Sequence, residues 1–191
     1  MSIKKYDINS WLQTFGVIAT VAVIGCQIIG DLHSRKIEAT LDFVVSSSND
    51  YRAVDFKYCD RAKGTLNKLS VEKVQYILCE DKESDLEVRN MLAVLEWISV
   101  GIREGGLDFD AVIKMRGSYY TTFFERWRPY MQARLDSAPN DERRRRIYDQ
   151  FEWLVAKISK ERNYKFKPLD RTPLSKPIDI CMCDKQDNLG D

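Results

Sequence analysis

The stretch "VRNMLAVLEWISVGIREGGLDFDAVIKM", residues 88–115, contains two amphipathic segments separated by a glycine turn. In the first segment apolar residues recur every three or four positions, which is the spacing of one face of a helix. That face carries Met91, Leu95, Ile98 and Ile102, and it is widened by Leu92, Val94, Trp97 and Val100. We therefore predict a central core helix, closed at Gly105 and Gly106 because glycine tolerates the left-handed conformation that ends helices.

Capping signals mark where the two helices begin. Ser84 is followed three residues later by Glu87, which is the spacing of a capping box, so we predict that the central helix starts at Ser84. Asp108 is predicted to cap the second helix. Gly117, on that second helix, leaves room for a close neighbour.

Helical periodicity continues on both sides of this pair. Upstream we predict a helix over 32–45, an interruption at "SSSND" (46–50), a helix over 50–63 and another beginning at Ser70. Downstream, Pro139 and Asn140 mark a turn, and Asp141 and Glu142 favour the start of a last helix. The apolar residues of that last helix are Ile147, Phe151, Leu154 and Ile158.

The longest uncharged run lies near the amino terminus, "WLQTFGVIATVAVIGCQIIG", residues 11–30. As a helix it would extend about 30 Å, the thickness of the hydrocarbon core of a bilayer. Aliphatic residues occur on every side of it, as in lipid-facing helices. We predict a transmembrane helix. Two alternatives stay open: a cleaved secretory signal, which is usually shorter and ends at small residues, and a buried helix of a soluble core.

These patterns predict an all-α protein in which a single amino-terminal transmembrane helix precedes a compact bundle of about five helices. No segment shows the sustained alternation typical of strands. The predicted divisions are a tail and transmembrane helix over 1–31, a helical domain over 32–163, and a polar, disordered tail over 164–191 that contains several prolines.

One face of the predicted span carries mostly small or polar residues. These are Gln13, Gly16, Thr20, Val23, Gln27 and Gly30, which we call the small-polar stripe. Small residues let helices approach closely, and an amide in hydrocarbon gains from a hydrogen bond across the interface. We predict self-association through this stripe, because its spacing continues into Ile37, Leu41 and Val44. The alternative is an anchor that tolerates these residues without pairing.

The flanking charges and the cysteines bear on localisation. Lys4 and Lys5 precede the run, and Arg35 and Lys36 follow it, so the positive-inside comparison is nearly balanced. Five scattered cysteines, an odd number, argue against a disulfide framework and favour a reducing compartment. We predict a single-pass protein of the cell's inner (plasma) membrane with its helical domain in the cytoplasm.

Overall charge does not point to a nucleic-acid partner, because 30 basic residues face 29 acidic ones. A local run, Arg143, Arg144, Arg145 and Arg146, stands out. Successive residues of a helix point about 100° apart, so these four cannot form one flat patch. The run is predicted to be a solvated, ion-paired helix; contact with anionic lipid is the main alternative, and nucleic acid is the least favoured partner.

Glu96 is the most conspicuous single residue, because it lies in the middle of the most apolar helix. An ionised carboxylate there would cost several kcal/mol unless it is paired. Arg103 lies two turns further along the helix, and Arg126 lies on the next helix. We predict a structural ion pair between Glu96 and one of these arginines, with a functional role of Glu96 as the alternative.

Catalytic and metal-binding sets are incomplete. His33, the only histidine, follows the uncharged run closely and has no catalytic partners in the sequence. Asp108 and Asp110 already have a role at a helix start, and "CMCD" (181–184) lacks the second cluster that a zinc site requires. We predict no cofactor and no metal.

Residues 88–135, preceded by an uncharged amino-terminal helix, resemble the bacterial and phage family catalogued as domain of unknown function 4760. The matching positions are Glu96, Gly101, Ile102, Trp127, Pro129 and Arg134. The resemblance covers roughly residues 30–160. It implies a membrane-anchored helical domain without an established activity, and it suggests a context of phage–host conflict.

Two functional hypotheses follow. The first is a non-enzymatic, membrane-anchored interaction module that self-associates or recruits an unknown protein partner. The second is a membrane-tethered enzyme with a site around Glu96, Arg103 and Asp108; a deep pocket joining these side chains would support it.

Overall fold

The computed structural model describes residues 8–58, 68–138, 142, 146–172 and 181; for residues 8–17 and 49–50 only the backbone is described. The described chain is helical and contains no strand, so the predicted all-α class is confirmed. Along the described ranges five α-helices follow one another: α1 (Ile8–Tyr58), α2 (Val71–Gln75), α3 (Lys82–Arg103), α4 (Phe109–Asp136) and α5 (Asp149–Glu161). A π-helical turn, Tyr76–Glu80, prolongs α2.

Helix α1 is a single helix of 51 residues, about 75 Å long. The predicted interruption at 46–50 is wrong. The hydroxyl of Ser47 donates to the Phe43 carbonyl at 2.7 Å, and that of Ser48 donates to the Val45 carbonyl at 2.7 Å. These side chains therefore bond to the preceding turn of the helix and do not compete with its backbone hydrogen bonds.

The two halves of α1 have different surroundings. Residues 18–35 are exposed, except for a partly buried Gly25, whereas the part from Thr40 onwards packs against α3 and α4. Among the residues whose side chains are described, no helix is both long enough and apolar enough to cross a membrane.

Helix α3 begins two residues earlier than predicted. Asp81 is its N-cap and accepts the Ser84 N–H at 3.0 Å, so Ser84 is already inside the first turn. Glu87 does not close a capping box, because its carboxylate accepts hydrogen bonds from Lys57 at 2.7 Å and from the Tyr58 hydroxyl at 3.0 Å. The start of α3 is thus tied to the end of α1. Gly105, with φ of 77°, lies just beyond the end of α3 as predicted.

Helix α4 begins as predicted, since Asp108 accepts the Ala111 N–H at 2.8 Å. The Asp108 N–H in turn donates to the Thr40 hydroxyl at 2.8 Å, which ties α4 to α1. The space at Gly117 is occupied by the Arg162 guanidinium, about 3.1 Å from where a Cβ would lie. The prediction of a close neighbour at Gly117 is therefore confirmed.

The core is built mainly around α4, which contributes five fully buried aromatic side chains. These are Tyr120, Phe123, Phe124, Trp127 and Tyr130. Phe151 of α5 packs between them, with its ring centroid 5.7 Å from that of Phe124 and 6.1 Å from that of Phe123. Each such aromatic pair contributes about 0.5–1.5 kcal/mol beyond the burial of its area.

The segment after α5 keeps contacts with the bundle as far as Arg171, within the stretch 164–191 that was predicted to be a polar, disordered tail. Leu169 is buried, and its N–H donates to Glu152 at 2.8 Å. Arg171 forms an ion pair with the same carboxylate at 2.5 Å, and Phe166 packs on Phe124. The remainder of the predicted tail, apart from residue 181, lies outside the described residues.

Cys79 and Cys181 form a disulfide, with their Cα atoms 5.5 Å apart. This corrects the expectation of unpaired thiols, because two cysteines separated by 102 positions in the sequence meet in the fold. It also leaves Cys181 unable to serve as a zinc ligand. Cys26 is free and exposed.

Candidate functional site

The outer side of α3 carries two hollows separated by Trp97. The first, of about 710 Å³, lies between α1, α3 and the turn that leads into α4, and we call it the apolar groove. It is lined by Phe43, Ser46, Ser47, Val94, Trp97, Gly101, Gly106 and Leu107. None of these eight side chains is charged, so the groove suits apolar groups.

The second hollow, of about 380 Å³, is lined by residues of α3, of α4 and of the chain just before α5. We call it the arginine hollow. Its lining consists of Arg89, Ala93, Glu96, Trp97, Val100, Arg134, Arg146, Ile147 and Tyr148. Three guanidinium groups and one carboxylate line it, so most of its charged lining groups are hydrogen-bond donors.

Trp97 forms part of both hollows and is 70% exposed. Tryptophan is enriched among the side chains that dominate the energy of protein interfaces, so an exposed tryptophan that borders two hollows is a candidate contact residue. Its neighbours Leu95 and Ile98 are buried, so the exposure of Trp97 follows from its position on the outer face of α3.

The arginines of the hollow are each held on one side by an acid. Arg89 pairs with Asp85 at 3.0 Å, and Arg134 lies 4.0 Å from that carboxylate. Arg146 pairs with Glu142 at 2.8 Å, with both side chains largely exposed. A guanidinium has five N–H donors, so one acidic partner leaves further donors available to a ligand.

Glu96 is not paired with Arg103 or Arg126, which corrects the predicted ion pair. Its carboxylate accepts the N–H of Phe151 at 3.0 Å and so caps the start of α5. Desolvation by burial raises the pKa of Glu96 from 4.5 to about 7, and the negative charge of Asp149 adds to the increase. Arg103 instead donates to Gln150 at 3.0 Å.

A buried ion pair joins α1 to α4. Asp55 is 3% exposed and pairs with Arg126 at 2.5 Å. The same carboxylate accepts the Trp127 indole N–H at 2.9 Å and the Tyr119 hydroxyl at 3.2 Å. Desolvation, together with the Asp55 charge, raises the pKa of Tyr119. Sequence reasoning missed Asp55, because the helical phase that would show it facing inward was obscured by the predicted break at 46–50.

Other predicted residues do not gather into a site. His33 is exposed, Asp108 caps α4, and Asp110 lies exposed in the first turn of that helix. Within the described ranges no group of three or more His, Cys, Asp or Glu side chains is placed to hold a metal ion. Of the arginine run, Arg143, Arg144 and Arg145 lie outside the described residues.

The small-polar stripe is exposed where its side chains are described, at Thr20, Val23, Gln27 and Gly30. The side chains of Gln13 and Gly16 lie outside the described part. The continuation of the stripe has a different environment from the one predicted, because Val44 is buried against the protein's own bundle and Ile37 and Leu41 are partly buried. The heptad positions that follow, Ser48, Tyr51, Asp55 and Tyr58, are also buried.

The structural class of the chain is a helical bundle that begins with one long amino-terminal helix. Its described residues do not form a catalytic site. The chain belongs to the family described as domain of unknown function 4760, which it matches over residues 12–158. This confirms the resemblance drawn from the sequence. No curated protein and no solved structure matches the chain significantly.

Proposed function

We propose that the protein is a membrane-anchored interaction module. The observation that carries the proposal is the exposed surface centred on Trp97, on a bundle that continues directly into a helix with an uncharged run of twenty residues. That run begins at Trp11, ahead of the first described side chain at Ile18. An exposed aromatic beside concave surfaces is typical of protein interfaces, and such an uncharged length suits a bilayer.

The continuity of α1 supports a mechanical link between the anchor and the bundle. The same helix carries the uncharged run and, from Thr40 to Tyr58, the contacts with α3 and α4. Asp55, Tyr58 and Thr40 attach it to the bundle by hydrogen bonds. A change in the position or pairing of the anchor would therefore move part of the core of the bundle.

The disulfide changes the argument about orientation. The prediction of a cytoplasmic domain depended on free thiols and on the arginine run, whereas disulfides persist mainly in oxidising compartments. In the proposed arrangement the bundle therefore lies on the oxidising side of the membrane, with Lys4 and Lys5 on the other side.

Geometry disfavours a lipid contact for Arg146, the arginine of the run that the structure describes. Arg146 lines the same hollow as Arg89, which is 14 residues, about 20 Å, from the end of α3 at Arg103. The turn after that end contacts Thr40 through Asp108, and Thr40 lies ten residues, about 15 Å, beyond the uncharged run. With α1 upright, the hollow is separated from the end of the uncharged run by more than about 15 Å along α1. This separation exceeds the range of about 8–10 Å over which surface charges interact at physiological salt.

The enzyme hypothesis receives less support. Glu96, Arg103 and Asp108 do not line a common cavity: Glu96 lines the arginine hollow, Arg103 contacts Gln150, and Asp108 contacts Thr40. A catalytic role would require these groups to be within hydrogen-bond reach of one substrate.

The full-length protein is expected to fractionate with membranes and to stay in the pellet after alkaline carbonate extraction, because twenty uncharged residues insert stably. A version lacking residues 1–30 serves as the control and should appear in the supernatant. Recovery of the full-length chain in the supernatant would refute the anchor. In intact cells, with Cys26, Cys59 and Cys183 replaced, labelling of Cys79 and Cys181 by an impermeant maleimide after reduction would support the proposed orientation, whereas labelling that requires permeabilised membranes would contradict it.

Self-association through the small-polar stripe is expected to give position-dependent cross-linking. With Cys26 replaced, single cysteines at positions 20 and 23 should form more disulfide-linked dimer than cysteines at 18 and 21 on another face. Changing Gln13 and Gln27 to Leu should lower that yield without preventing insertion, because the interhelical hydrogen bonds are lost. Equal yields from both faces would show that the stripe does not direct assembly.

A further inference from the structure

We propose that the face of α3 centred on Trp97 binds a helical segment of a partner protein, which places apolar side chains in the apolar groove and acidic side chains in the arginine hollow. This inference rests on the proposed function as an interaction module and specifies the chemistry of the partner.

Trp97 is placed as an anchor for such a partner. The Trp97 side chain is 70% exposed, whereas the inner face of the same helix is packed in the core. Trp97 therefore makes no large contribution to the core. Tryptophan is the residue type most enriched among side chains that dominate interface energies, because it buries a large area with few rotatable bonds. Hollows on both sides of the ring would let a partner enclose it.

The apolar groove has a shaped floor. Gly101 lies there, and a Cβ at this position would come within 2.8 Å of the Leu107 side chain. The Leu107 N–H donates to the Gly101 carbonyl at 2.8 Å, which fixes the turn against α3. The absence of a side chain at Gly101 thus lets Leu107 fold back and line the groove together with Phe43 and Val94.

The arginine hollow offers guanidinium donors to acidic groups of the partner. Arg89, Arg134 and Arg146 line it, and the carboxylates that pair with Arg89 and Arg146, Asp85 and Glu142, lie outside the lining. Glu96 is the one acidic lining residue, and its carboxylate accepts the Phe151 N–H at the start of α5. Acidic side chains would form bidentate contacts with the remaining guanidinium donors, whereas basic side chains have no acceptor to offer these donors.

The length of this face of α3 favours a single helix as the binding partner over a larger protein surface. From Arg89 to Gly101 the face runs twelve residues along α3, about 18 Å. A partner helix of about four turns would cover that length, which is the arrangement of an amphipathic helix docked in a groove. Phe43 lies 13 residues, about 20 Å, beyond Gly30, so with α1 upright the groove is clear of the bilayer surface.

The test uses the full-length protein in phosphatidylcholine nanodiscs and two synthetic 18-residue amphipathic helices with the same leucine and phenylalanine face. One peptide carries glutamate on its flanks, and the other carries lysine. Fluorescence anisotropy of each labelled peptide is measured, with empty nanodiscs as the blank. The variants are W97A and the double charge reversal R89E/R134E. Y164A and K165E are the matched controls, because Tyr164 and Lys165 are exposed and line neither hollow.

We expect the glutamate peptide to bind at least about 10-fold more tightly than the lysine peptide. We also expect W97A to weaken binding by about 10-fold or more, and R89E/R134E to reverse the preference between the peptides. The controls should change binding less than twofold, and circular dichroism should show that all variants are folded. Equal binding of both peptides, or binding that W97A does not change, would overturn the proposal.

Two further outcomes identify other occupants. Binding of neither peptide together with self-association that W97A abolishes would assign the face to a second copy of the chain. A shift of tryptophan fluorescence on addition of empty liposomes, present in the wild type and absent in W97A, would assign it to lipid. Either result overturns the helical-partner proposal while leaving the membrane anchor intact, whereas failure of carbonate resistance would remove the anchor without affecting peptide binding.

Discussion

Replacing Asp55 by Ala is expected to lower the free energy of unfolding by about 3–5 kcal/mol, because the substitution breaks a buried ion pair by removing one partner. The Arg126 guanidinium loses this carboxylate in a largely buried position. The substitution also removes the acceptor of the Trp127 indole N–H and of the Tyr119 hydroxyl. Because these contacts join α1 to α4, the loss weakens the attachment of the anchor helix to the bundle.

Urea unfolding of the full-length protein in detergent, followed by circular dichroism, measures this effect. D42A is the matched control, because Asp42 is an exposed aspartate on the same helix and its loss should change stability by no more than about 0.5 kcal/mol. The double variant D55A/R126A should be less destabilised than the sum of the single variants, since both charges of the pair are removed together. Similar midpoints for D55A and D42A would contradict a structural role for the ion pair.

Replacing Glu96 by Gln is expected to stabilise the protein at alkaline pH and to have little effect at pH 5. Burial raises the pKa of Glu96 to about 7 in the folded state, against an ordinary value of 4.5. The folded state therefore binds this proton more tightly, and the wild type loses stability as the pH rises from 4.5 through 7. Above pH 8 the loss amounts to at most about 3 kcal/mol.

Glutamine cannot ionise, and its amide oxygen still accepts the Phe151 N–H, so E96Q keeps the cap of α5 without the cost of the charge. Thermal unfolding at pH values from 5 to 9 should show a difference between E96Q and the wild type that grows with pH. E80Q is the control, because Glu80 is exposed. E96A removes the cap as well and should cost about 1 kcal/mol at pH 5. A pH-independent difference for E96Q would show that Glu96 ionises normally.

Local sequence signals predicted several features of the fold correctly. The apolar spacing of 88–115 identified the inner face of α3, where Met91, Leu95, Ile98 and Ile102 are buried. Asp108 caps α4, and Gly105 adopts the left-handed conformation. These features depend on contacts within a few residues along the chain, so periodicity and capping chemistry are sufficient to predict them.

The candidate site was only partly visible in the sequence. Glu96 and Trp97 stood out within an apolar helix, but nothing local shows that Trp97 points outward between two hollows or that Arg89, Arg134 and Arg146 converge. Those three arginines belong to separate segments of the chain, and their meeting depends on how α3, α4 and the residues before α5 are packed.

By itself the sequence determined the helical class, the inner face of α3, the cap of α4 and the uncharged amino-terminal run. Only the tertiary structure decided the partners: Asp55 with Arg126, Glu96 with the start of α5, and Cys79 with Cys181. The serine-rich stretch of α1 shows the reason. Serine can either interrupt a helix or bond back to its preceding turn, with small differences in energy, and packing of the adjoining residues against α3 and α4 favours the continuous helix.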